Sequence, residues 1–493
     1  MHSGLEMVFM GIIKFYSTNN RSERVDFETA FMNGLASNYG LYMLAKEDIP
    51  VLGSEAIRAM IEMSYARIAF EVLNPFLVGI IPEGDLEGIL EDAYDEDEIP
   101  TEIQHVTGKT FIMWLTKGPT YSFKDYAARF FGRVLNYFLG RSGLRRIVAV
   151  ATSGDTGGAV ADALHGLERI DNIVFFPKGA VTERQRRQMT TLGGNVYAFE
   201  VNGDFDVCQA LAKRLLGDKG YARGLFNDPQ RFTSANSISL GRLLPQAVYP
   251  FFAYSRIARN DEPLIASVPS GNFGDMMGTV IAKAMGLPIE KIICGVNEND
   301  EFPEFLKKER YIVRPSIKSP SSAMIVSNPS NFARLVDLYG GHVYDRRDER
   351  GNVVQEGVID RMPDIESMRR DLFSMPVSNP DHYRAIKEVY DRFGIVIEPH
   401  GAVGWRVLDT YLEGKHDRTS VIYETADPGK FPDDVEEAIG IVPEIPERIA
   451  KQAELDERIF KIEQPPFIKE DGSQSLSEEQ YDRAREVIRS LFR

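Results

Sequence analysis

From about residue 108 to residue 424, apolar segments of strand length alternate with amphipathic segments of helical period. This alternation is typical of parallel α/β architecture, because parallel strands are joined by crossover connections that are usually helices. The sequence therefore predicts an α/β fold. The clearest predicted strands are 110–115, 146–151, 172–176, 195–200, 264–268, 291–296 and 420–424, and the clearest helices are 122–138, 157–167, 206–216 and 275–285.

The length of the chain predicts more than one domain. At 493 residues, 43% of them hydrophobic, the chain exceeds the size at which a single core stops growing. Residues 1–100 precede the alternating pattern and are predicted to form an N-terminal domain. We divide the remainder into a smaller α/β domain at 101–235, a larger α/β domain at 236–445 and a helical C-terminal tail at 446–493.

Composition and charge exclude several classes of function. The formal charge of −16 repels phosphate backbones and argues against nucleic-acid binding. The seven histidines show no HxxxH spacing, so no metal is expected. The apolar segment Met7–Ile13 predicts an N-terminal strand and is too short to span a membrane. Cys208 and Cys294 form no CxxC pair, which predicts a cytoplasmic protein, or an organellar one after removal of a transit peptide.

A lysine at a predicted helix start is the first candidate for chemistry. In the segment G-P-T-Y-S-F-K-D at 118–125, Ser122 and Asp125 have the spacing of a capping box. That spacing places Lys124 in the first turn, where the positive end of the helix dipole disfavours an ammonium group. The position favours the neutral amine that Schiff-base chemistry requires. The alternative is an ordinary surface lysine near a helix start.

Two loops share the pattern S-G-[DN]-x-G at a predicted strand-to-helix junction. They are A-T-S-G-D-T-G-G at 151–158 and P-S-G-N-F-G-D at 269–275. Glycines in such loops let the backbone approach an anion, and the N–H groups of the first helical turn point toward it. Either loop alone could be a tight turn, but the pair predicts one site for two anionic groups. Neither loop contains a Walker A motif or G-x-G-x-x-G, which disfavours ATP and NAD.

Two further segments offer polar groups to a ligand. Asn236, Ser237 and Arg242 supply amide, hydroxyl and guanidinium donors that suit a phosphate. The alternative for that segment is helix capping by Asn236 or Ser237, with Arg242 exposed. Thr425 directly follows the predicted strand 420–424, where it could end a turn or face a ligand at the carboxyl edge of the sheet.

Taken together, these segments resemble threonine synthase, of the longer kind found in fungi and many bacteria. The resemblance runs nearly from end to end, and the motifs occur in the order of that family. They are K-F-Y-S-T at 14–18, G-L-A-S-N-Y-G-L-Y at 34–42, G-P-T-x-x-F-K-D at 118–125, A-T-S-G-D-T-G at 151–157, G-N-F-G-D at 271–275, P-S-N-F at 329–332, E-P-H-G-A-V-G at 398–404 and T-A-D-P-G-K-F at 425–431.

The resemblance implies the type II pyridoxal-phosphate fold, with two α/β domains, the cofactor between them, and an N-terminal domain. It also implies conversion of O-phospho-L-homoserine and water to L-threonine and phosphate. Lys124 would be the Schiff-base lysine and proton shuttle, and Thr425 would face the pyridine nitrogen. The other implied cofactor-binding residues are Asp155, Gly271, Asn272, Phe273, Gly274 and Asp275. The implied substrate-binding residues are Ser153 and Thr156 near the carboxylate, and Asn236, Ser237 and Arg242 at the leaving phosphate.

Four residues depart from the family pattern. Lys117 and Asp427 stand where histidine is expected, and Asn19-Asn20 replaces Arg-Gly. The first two change charge close to the expected site, which keeps open a related phospho-lyase that releases 2-oxobutyrate and phosphate from a phosphorylated amino acid. A non-catalytic relative is a further alternative, which the intact Lys124 and both glycine loops oppose. We expect a monomer or a homodimer.

Overall fold

The computed structural model describes residues 12–259, 261–348, 353–469 and 472–492. The strand predicted at Met7–Ile13 therefore falls mainly outside the described residues. Residues 15–93 form an N-terminal region whose aromatic side chains pack on the rest of the chain, as Phe31 does on Phe131 with ring centroids 5.0 Å apart. Its elements are β1 (Phe15–Ser17), β2 (Asn20–Val25), α1 (Phe27–Asn33), β3 (Tyr42–Met43), α2 (Ser54–Ala59), α3 (Tyr65–Leu77) and α4 (Glu83–Ala93).

A region of alternating strands and helices follows. Strands that were predicted at 146–151, 172–176 and 195–200 are present with shifts of no more than two residues at either end. The elements are β4 (Glu102–Thr107), β5 (Thr110–Trp114), α5 (Lys124–Ser142), β6 (Arg146–Ala151), α6 (Asp155–Leu164), β7 (Ile170–Pro177), α7 (Glu183–Thr190), β8 (Val196–Val201), α8 (Phe205–Gly217), α9 (Lys219–Phe226) and β9 (Phe232–Ser234).

The third region carries the second series of parallel strands. Its elements are α10 (Leu240–Leu243), α11 (Val248–Ile257), β10 (Leu264–Pro269), α12 (Gly274–Ala284), β11 (Ile289–Val296), α13 (Glu301–Lys308), α14 (Phe332–Leu338), β12 (His342–Arg347), β13 (Val353–Arg361), α15 (Ile365–Asp371), β14 (Leu372–Pro376), α16 (Asn379–Phe393), α17 (Pro399–Tyr411), β15 (Ser420–Glu424) and α18 (Pro432–Ile439). The C-terminal elements are α19 (Glu447–Gln452), β16 (Ile459–Ile462), β17 (Phe467–Ile468), β18 (Gln474–Ser475) and α20 (Glu478–Leu491).

Two larger sheets organise these elements, so the predicted α/β class is confirmed. The five-stranded sheet has the order β16-β8-β7-β6-β9 and is parallel throughout. The six-stranded sheet has the order β14-β11-β10-β15-β5-β4, and only its edge pair β4–β5 is antiparallel. The central strands β6, β10 and β15 are buried along their whole length, as expected for parallel strands covered by helices on both faces.

The sheets divide the chain differently from the predicted boundaries. Strands β4 and β5 were assigned to the domain at 101–235, but β5 pairs with β15 in the other sheet. The tail at 446–493 was predicted to be helical, yet its strand β16 adds to the edge of the five-stranded sheet by pairing with β8. Both pairings join segments far apart in the chain, and hydrophobic periodicity carries no signal for such partners. No helix in the described ranges is long and apolar enough to cross a membrane.

Candidate active site

A cavity lies where the carboxyl ends of strands from both sheets meet, the usual place for a ligand site in such sheets. Its wall includes the loops that follow β6 and β10, the residue after β15, and the first turn of α5. Every candidate site residue predicted from the sequence lines this cavity, with the exception of Phe273. The two predicted anion loops therefore belong to one site, although they come from different sheets.

Lys124 is the first residue of α5, and its amine faces the cavity. Its side chain is 15% exposed, and Nζ lies 3.7 Å from Oδ2 of Asp155. Burial lowers the pKa of Lys124, although the charge of Asp155 opposes that shift. The predicted preference for the neutral amine is therefore supported by desolvation as well as by the helix dipole.

The capping box predicted for this helix is wrong. The Asp125 carboxylate accepts hydrogen bonds from the backbone N–H and the hydroxyl of Thr120, at 2.8 and 2.5 Å. Asp125 thus tightens the loop before the helix instead of pairing with Ser122. The same loop is tied to the end of β15, because the Phe123 N–H donates to the Thr425 carbonyl at 2.9 Å. That bond sets Lys124 beside Thr425.

The glycine loop after β10 is shaped to hold an anion. Phe273 has φ +60° and directly precedes α12, and its apolar side chain cannot accept hydrogen bonds from the first N–H groups of that helix. A Cβ on Gly271 would lie 2.6 Å from the Ala323 carbonyl oxygen, so only glycine fits there. The Asn272 side-chain oxygen accepts a hydrogen bond from the Ser330 N–H at 3.2 Å. The Asn272 backbone carbonyl accepts one from Asn331 Nδ2 at 2.9 Å.

Two members of that loop differ in how they can contribute. The Phe273 ring packs on Phe302, with centroids 4.9 Å apart, and does not line the cavity. Its implied role in cofactor binding is therefore limited to its backbone. Asp275 does line the cavity, and burial raises the pKa of its carboxyl to about 6.

The loop after β6 places a carboxylate at the start of α6. Gly154 has φ +144°, in the region that favours glycine, and Thr152 Oγ1 accepts from the N–H groups of Gly154 and Gly157. Asp155 is buried, with Oδ1 2.6 Å from the amine of Lys430. Although burial opposes the shift, the charges of Lys430 and Lys124 hold the pKa of Asp155 well below its usual range. Ser153 and Thr156 also line the cavity.

Arg242 is buried in the cavity wall, so the alternative of an exposed arginine is wrong. One terminal nitrogen donates to the Ala235 carbonyl at 2.8 Å, whereas Nε has no hydrogen-bond partner among the described residues. Burial lowers the pKa of Arg242 to about 10, which leaves it charged at neutral pH. A buried guanidinium in the cavity wall suits a phosphate ligand.

Asn236 and Ser237 make protein contacts beside the cavity. The Asn236 amide donates to the Ala151 carbonyl at 2.7 Å and accepts from the Ala151 N–H at 3.2 Å. This pair fixes the loop after β6 and leaves one amide N–H of Asn236 for a ligand. The Ser237 hydroxyl lies 2.9 Å from that of Ser330.

Sequence reasoning assigned no role to three other residues near the site. His400 lines the cavity, with Nδ1 2.5 Å from the Glu398 carboxylate, and its Nε2 accepts from the Ala323 N–H at 3.1 Å. The Lys430 amine lies 2.6 Å from Asp155 Oδ1, although Lys430 does not line the cavity. His400 lies in the motif at 398–404 and Lys430 in the motif at 425–431, so the sequence contained a signal for each residue but gave no role for it. Gln246 also lines the cavity. The only feature of the sequence that could have pointed to Gln246 is its position four residues after Arg242.

The two charge departures lie outside the wall of the cavity. Lys117 is exposed, and its amine lies 5.8 Å from the centre of the Trp114 ring. The Asp427 carboxylate accepts from the Gly429 N–H at 2.8 Å and caps the short turn Pro428–Lys430. Because neither side chain faces the cavity, they offer little support for a changed substrate or product.

These residues fit a phosphorylated aldehyde cofactor. Such a group needs an amine that can be neutral, an anion cradle and a polar partner for its ring, and Lys124, the Gly271–Asp275 loop and Thr425 lie together in one cavity. Within the part of the chain that the structure describes, no cluster of histidine, cysteine or acidic residues could hold a metal ion.

Comparison with known proteins gives a consistent result along the chain. Family profiles match at residues 14–94 (threonine synthase N terminus), 108–423 (pyridoxal-phosphate dependent enzyme) and 401–469 (threonine synthase, C-terminal). Threonine synthase of Pseudomonas aeruginosa is 34% identical over 90% of this chain and 95% of its own length. The Escherichia coli enzyme is 31% identical, with the same two coverages.

Solved structures of threonine synthases are also similar to this chain. The crystal structure of PLP-bound threonine synthase from Brucella melitensis superimposes with a TM-score of 0.82 at 30% identity, covering 97% of this chain and 99% of that one. The yeast threonine synthase structure superimposes with a TM-score of 0.79 at 29% identity, covering 92% and 96%.

Proposed function

The chain belongs to the threonine synthase family of pyridoxal-phosphate enzymes, and we propose that it converts O-phospho-L-homoserine and water to L-threonine and phosphate by γ-elimination and β-hydration. The cofactor is pyridoxal phosphate. The observation that carries the proposal is the cavity in which the Lys124 amine, two anion loops and the buried Arg242 come together. A substrate with a carboxylate at one end and a phosphate at the other matches those cationic and N–H groups.

The proposed binding roles follow from the positions of the groups. Lys124 would bind the aldehyde carbon of the cofactor, the N–H groups at Gly271–Asp275 would hold its phosphate, and Thr425 would be the partner of the ring nitrogen. Asp155 would also contribute to cofactor binding. When bound, the cofactor supplies an electron sink that makes protons at the substrate's Cα and Cβ removable. A hydroxyl opposite the ring nitrogen, in place of a carboxylate, favours elimination and replacement over transamination.

The chain's own residues then move protons and hold charge. The Lys124 amine accepts the proton from Cα. Because its pKa is lowered, the same group can both accept and donate protons in the later transfers at Cβ and Cγ. Ser153 and Thr156 donate to the substrate carboxylate. Arg242, with Asn236 and Ser237 beside it, stabilises the phosphate as the Cγ–O bond breaks. Water adds at Cβ to give the hydroxyl of threonine.

Product analysis tests the reaction. The purified protein is incubated with O-phospho-L-homoserine, and amino acids, keto acids and phosphate are measured over time. We expect threonine and phosphate in equal amounts. If 2-oxobutyrate and phosphate form without threonine, the chain is a phospho-lyase of the same family and the proposed reaction is wrong.

Replacing Arg242 with alanine is expected to weaken binding of the phosphorylated substrate more than binding of the cofactor. Loss of a charge-assisted contact from a buried guanidinium costs about 1.5–3 kcal/mol, which corresponds to a rise in KM of roughly 10- to 150-fold. The measurement is KM for O-phospho-L-homoserine together with the dissociation constant of the cofactor.

Lys117→Ala is the matched control, since it removes a cation of the same sign that lies outside the cavity wall. Its KM should stay within about two-fold of the wild-type value, as expected for an exposed charge. If Arg242→Ala instead releases the cofactor and leaves KM unchanged, the guanidinium serves the cofactor phosphate and the two phosphate positions have been exchanged.

We also propose that the protein works in the cytoplasm as a monomer or a homodimer. Both cysteines are free and buried, as expected in a reducing compartment. One chain supplies all the groups that the proposed mechanism needs, so activity does not require residues from a second copy.

A further inference from the structure

Asp155 lies between two lysines whose amines it contacts unequally. Its Oδ1 is 2.6 Å from Nζ of Lys430, and the same oxygen accepts from Gln185 Nε2 at 3.1 Å. Its Oδ2 is 3.7 Å from Nζ of Lys124, beyond hydrogen-bond distance. The carboxylate is therefore engaged by Lys430 and only faces Lys124.

Lys430 is fully buried and is held in place by the segment that carries Lys124. Its amine donates to the Thr120 carbonyl at 3.0 Å, in the loop that leads into α5. The Lys430 N–H donates to the Asp427 carbonyl, which closes the short turn at 428–430. Lys430 does not line the cavity, so it acts on the site through Asp155 and not by touching a ligand.

The charges around Lys124 explain why such a group is needed. A buried carboxylate near an amine stabilises the ammonium form, which is neither a nucleophile nor a base. Lys124 is faced by Asp155 of α6, Lys430 of the 428–430 turn, Asp275 of α12 and Arg242 of α10, and His400 of α17 lines the same cavity. Without Lys430, the Asp155 charge would act on Lys124 alone.

We propose that Lys430 is a positioning residue that carries the counter-charge of Asp155, so that Asp155 orients the site without retaining a proton on Lys124. This inference rests on the proposed function, because it assigns Lys430 to the nitrogen that binds the cofactor. It predicts opposite effects for the two members of the pair. Removing the Lys430 cation raises the pKa of the Lys124 nitrogen, and removing the Asp155 anion lowers it.

Three variants test the sign of each effect. They are Lys430→Met, Asp155→Asn and the double variant, in which both charges are gone while Asp275 and Arg242 are unchanged. The first readout is the pH at which the visible absorbance of the bound cofactor changes in the holoenzyme without substrate, which reports the protonation of the linked Lys124 nitrogen. The second readout is the acid limb of kcat, which requires Lys124 to be a neutral base.

In Lys430→Met, both transitions should move to higher pH by about one unit. In Asp155→Asn they should move to lower pH, and in the double variant they should return close to the wild-type position. A purely structural role for Lys430 would lower activity equally at every pH and leave the transitions where they are. That result, or shifts of the same sign in both single variants, would overturn the proposal.

The comparison does not depend on every variant folding. If Lys430→Met unfolds because it leaves a buried carboxylate unpaired, Asp155→Asn and the double variant still give a signed result, and a double variant that stays at the Asp155→Asn position would reject the role of Lys430. The spectral titration uses no substrate, so it tests Lys430 even if product analysis rejects threonine formation.

Discussion

Replacing Lys124 with alanine is expected to abolish covalent cofactor binding and to lower turnover by at least about 1,000-fold, because in the proposed mechanism one nitrogen is both the anchor and the base. The fold should persist. The side chain faces the cavity and not the core, and alanine is tolerated at the first position of a helix. The measurements are the visible spectrum after incubation with pyridoxal phosphate, the rate of phosphate release and the thermal unfolding temperature.

Lys219→Ala is the matched control for that variant. Lys219 is also the first residue of a helix, α9, and lies outside the cavity. It should keep the wild-type spectrum and rate. A folded Lys124→Ala protein that still holds the cofactor covalently, or turns over substrate at more than about a tenth of the wild-type rate, would remove Lys124 from the centre of the mechanism.

Replacing Gly271 with alanine is expected to weaken cofactor binding by roughly 5- to 150-fold, because forcing a methyl group into a packed site costs about 1–3 kcal/mol. The added Cβ would lie 2.6 Å from the Ala323 carbonyl oxygen and 3.1 Å from the Met324 Cα. Those are backbone atoms, and the Ala323 N–H is held by His400, so the glycine loop must move instead. The measurement is the dissociation constant of pyridoxal phosphate.

Gly88→Ala provides the comparison for the glycine loop. A Cβ on Gly88 meets open space within α4, and alanine in a helix interior stabilises by roughly 0.5–1 kcal/mol relative to glycine. Cofactor affinity should therefore be unchanged, with a slightly higher unfolding temperature. If Gly271→Ala binds the cofactor as tightly as Gly88→Ala, the loop at 271–275 is not the phosphate cradle.

Local patterns were sufficient to predict the elements that build the site. Strand β6 has the predicted bounds Arg146–Ala151, and β15 has the predicted bounds Ser420–Glu424. Both have an apolar centre of strand length and are followed by turn residues, which is consistent with a buried parallel strand. Since ligands bind at the carboxyl ends of such strands, the loop after β6 was predicted to bind an anion, and Thr425 after β15 was a candidate to face a ligand.

The remaining features depend on contacts between distant segments. Asp125 appeared to cap α5 from its spacing with Ser122, but the Thr120 backbone and hydroxyl compete successfully for its carboxylate. Lys430 and His400 contact Asp155 and Ala323, partners that lie 275 and 77 residues away in the sequence. These contacts depend on the tertiary structure, which neither secondary-structure propensity nor hydrophobic periodicity encodes.

The most direct test of the proposed reaction is to run it in water enriched in oxygen-18 and to analyse both products by mass spectrometry. If the Cγ–O bond of O-phospho-L-homoserine breaks and water adds at Cβ, threonine carries one heavy oxygen in its hydroxyl group and the released phosphate carries none. Heavy oxygen in the phosphate, together with unlabelled homoserine, would mean that the phosphorus–oxygen bond is hydrolysed. That result would contradict the assignment of this cavity to γ-elimination and β-hydration.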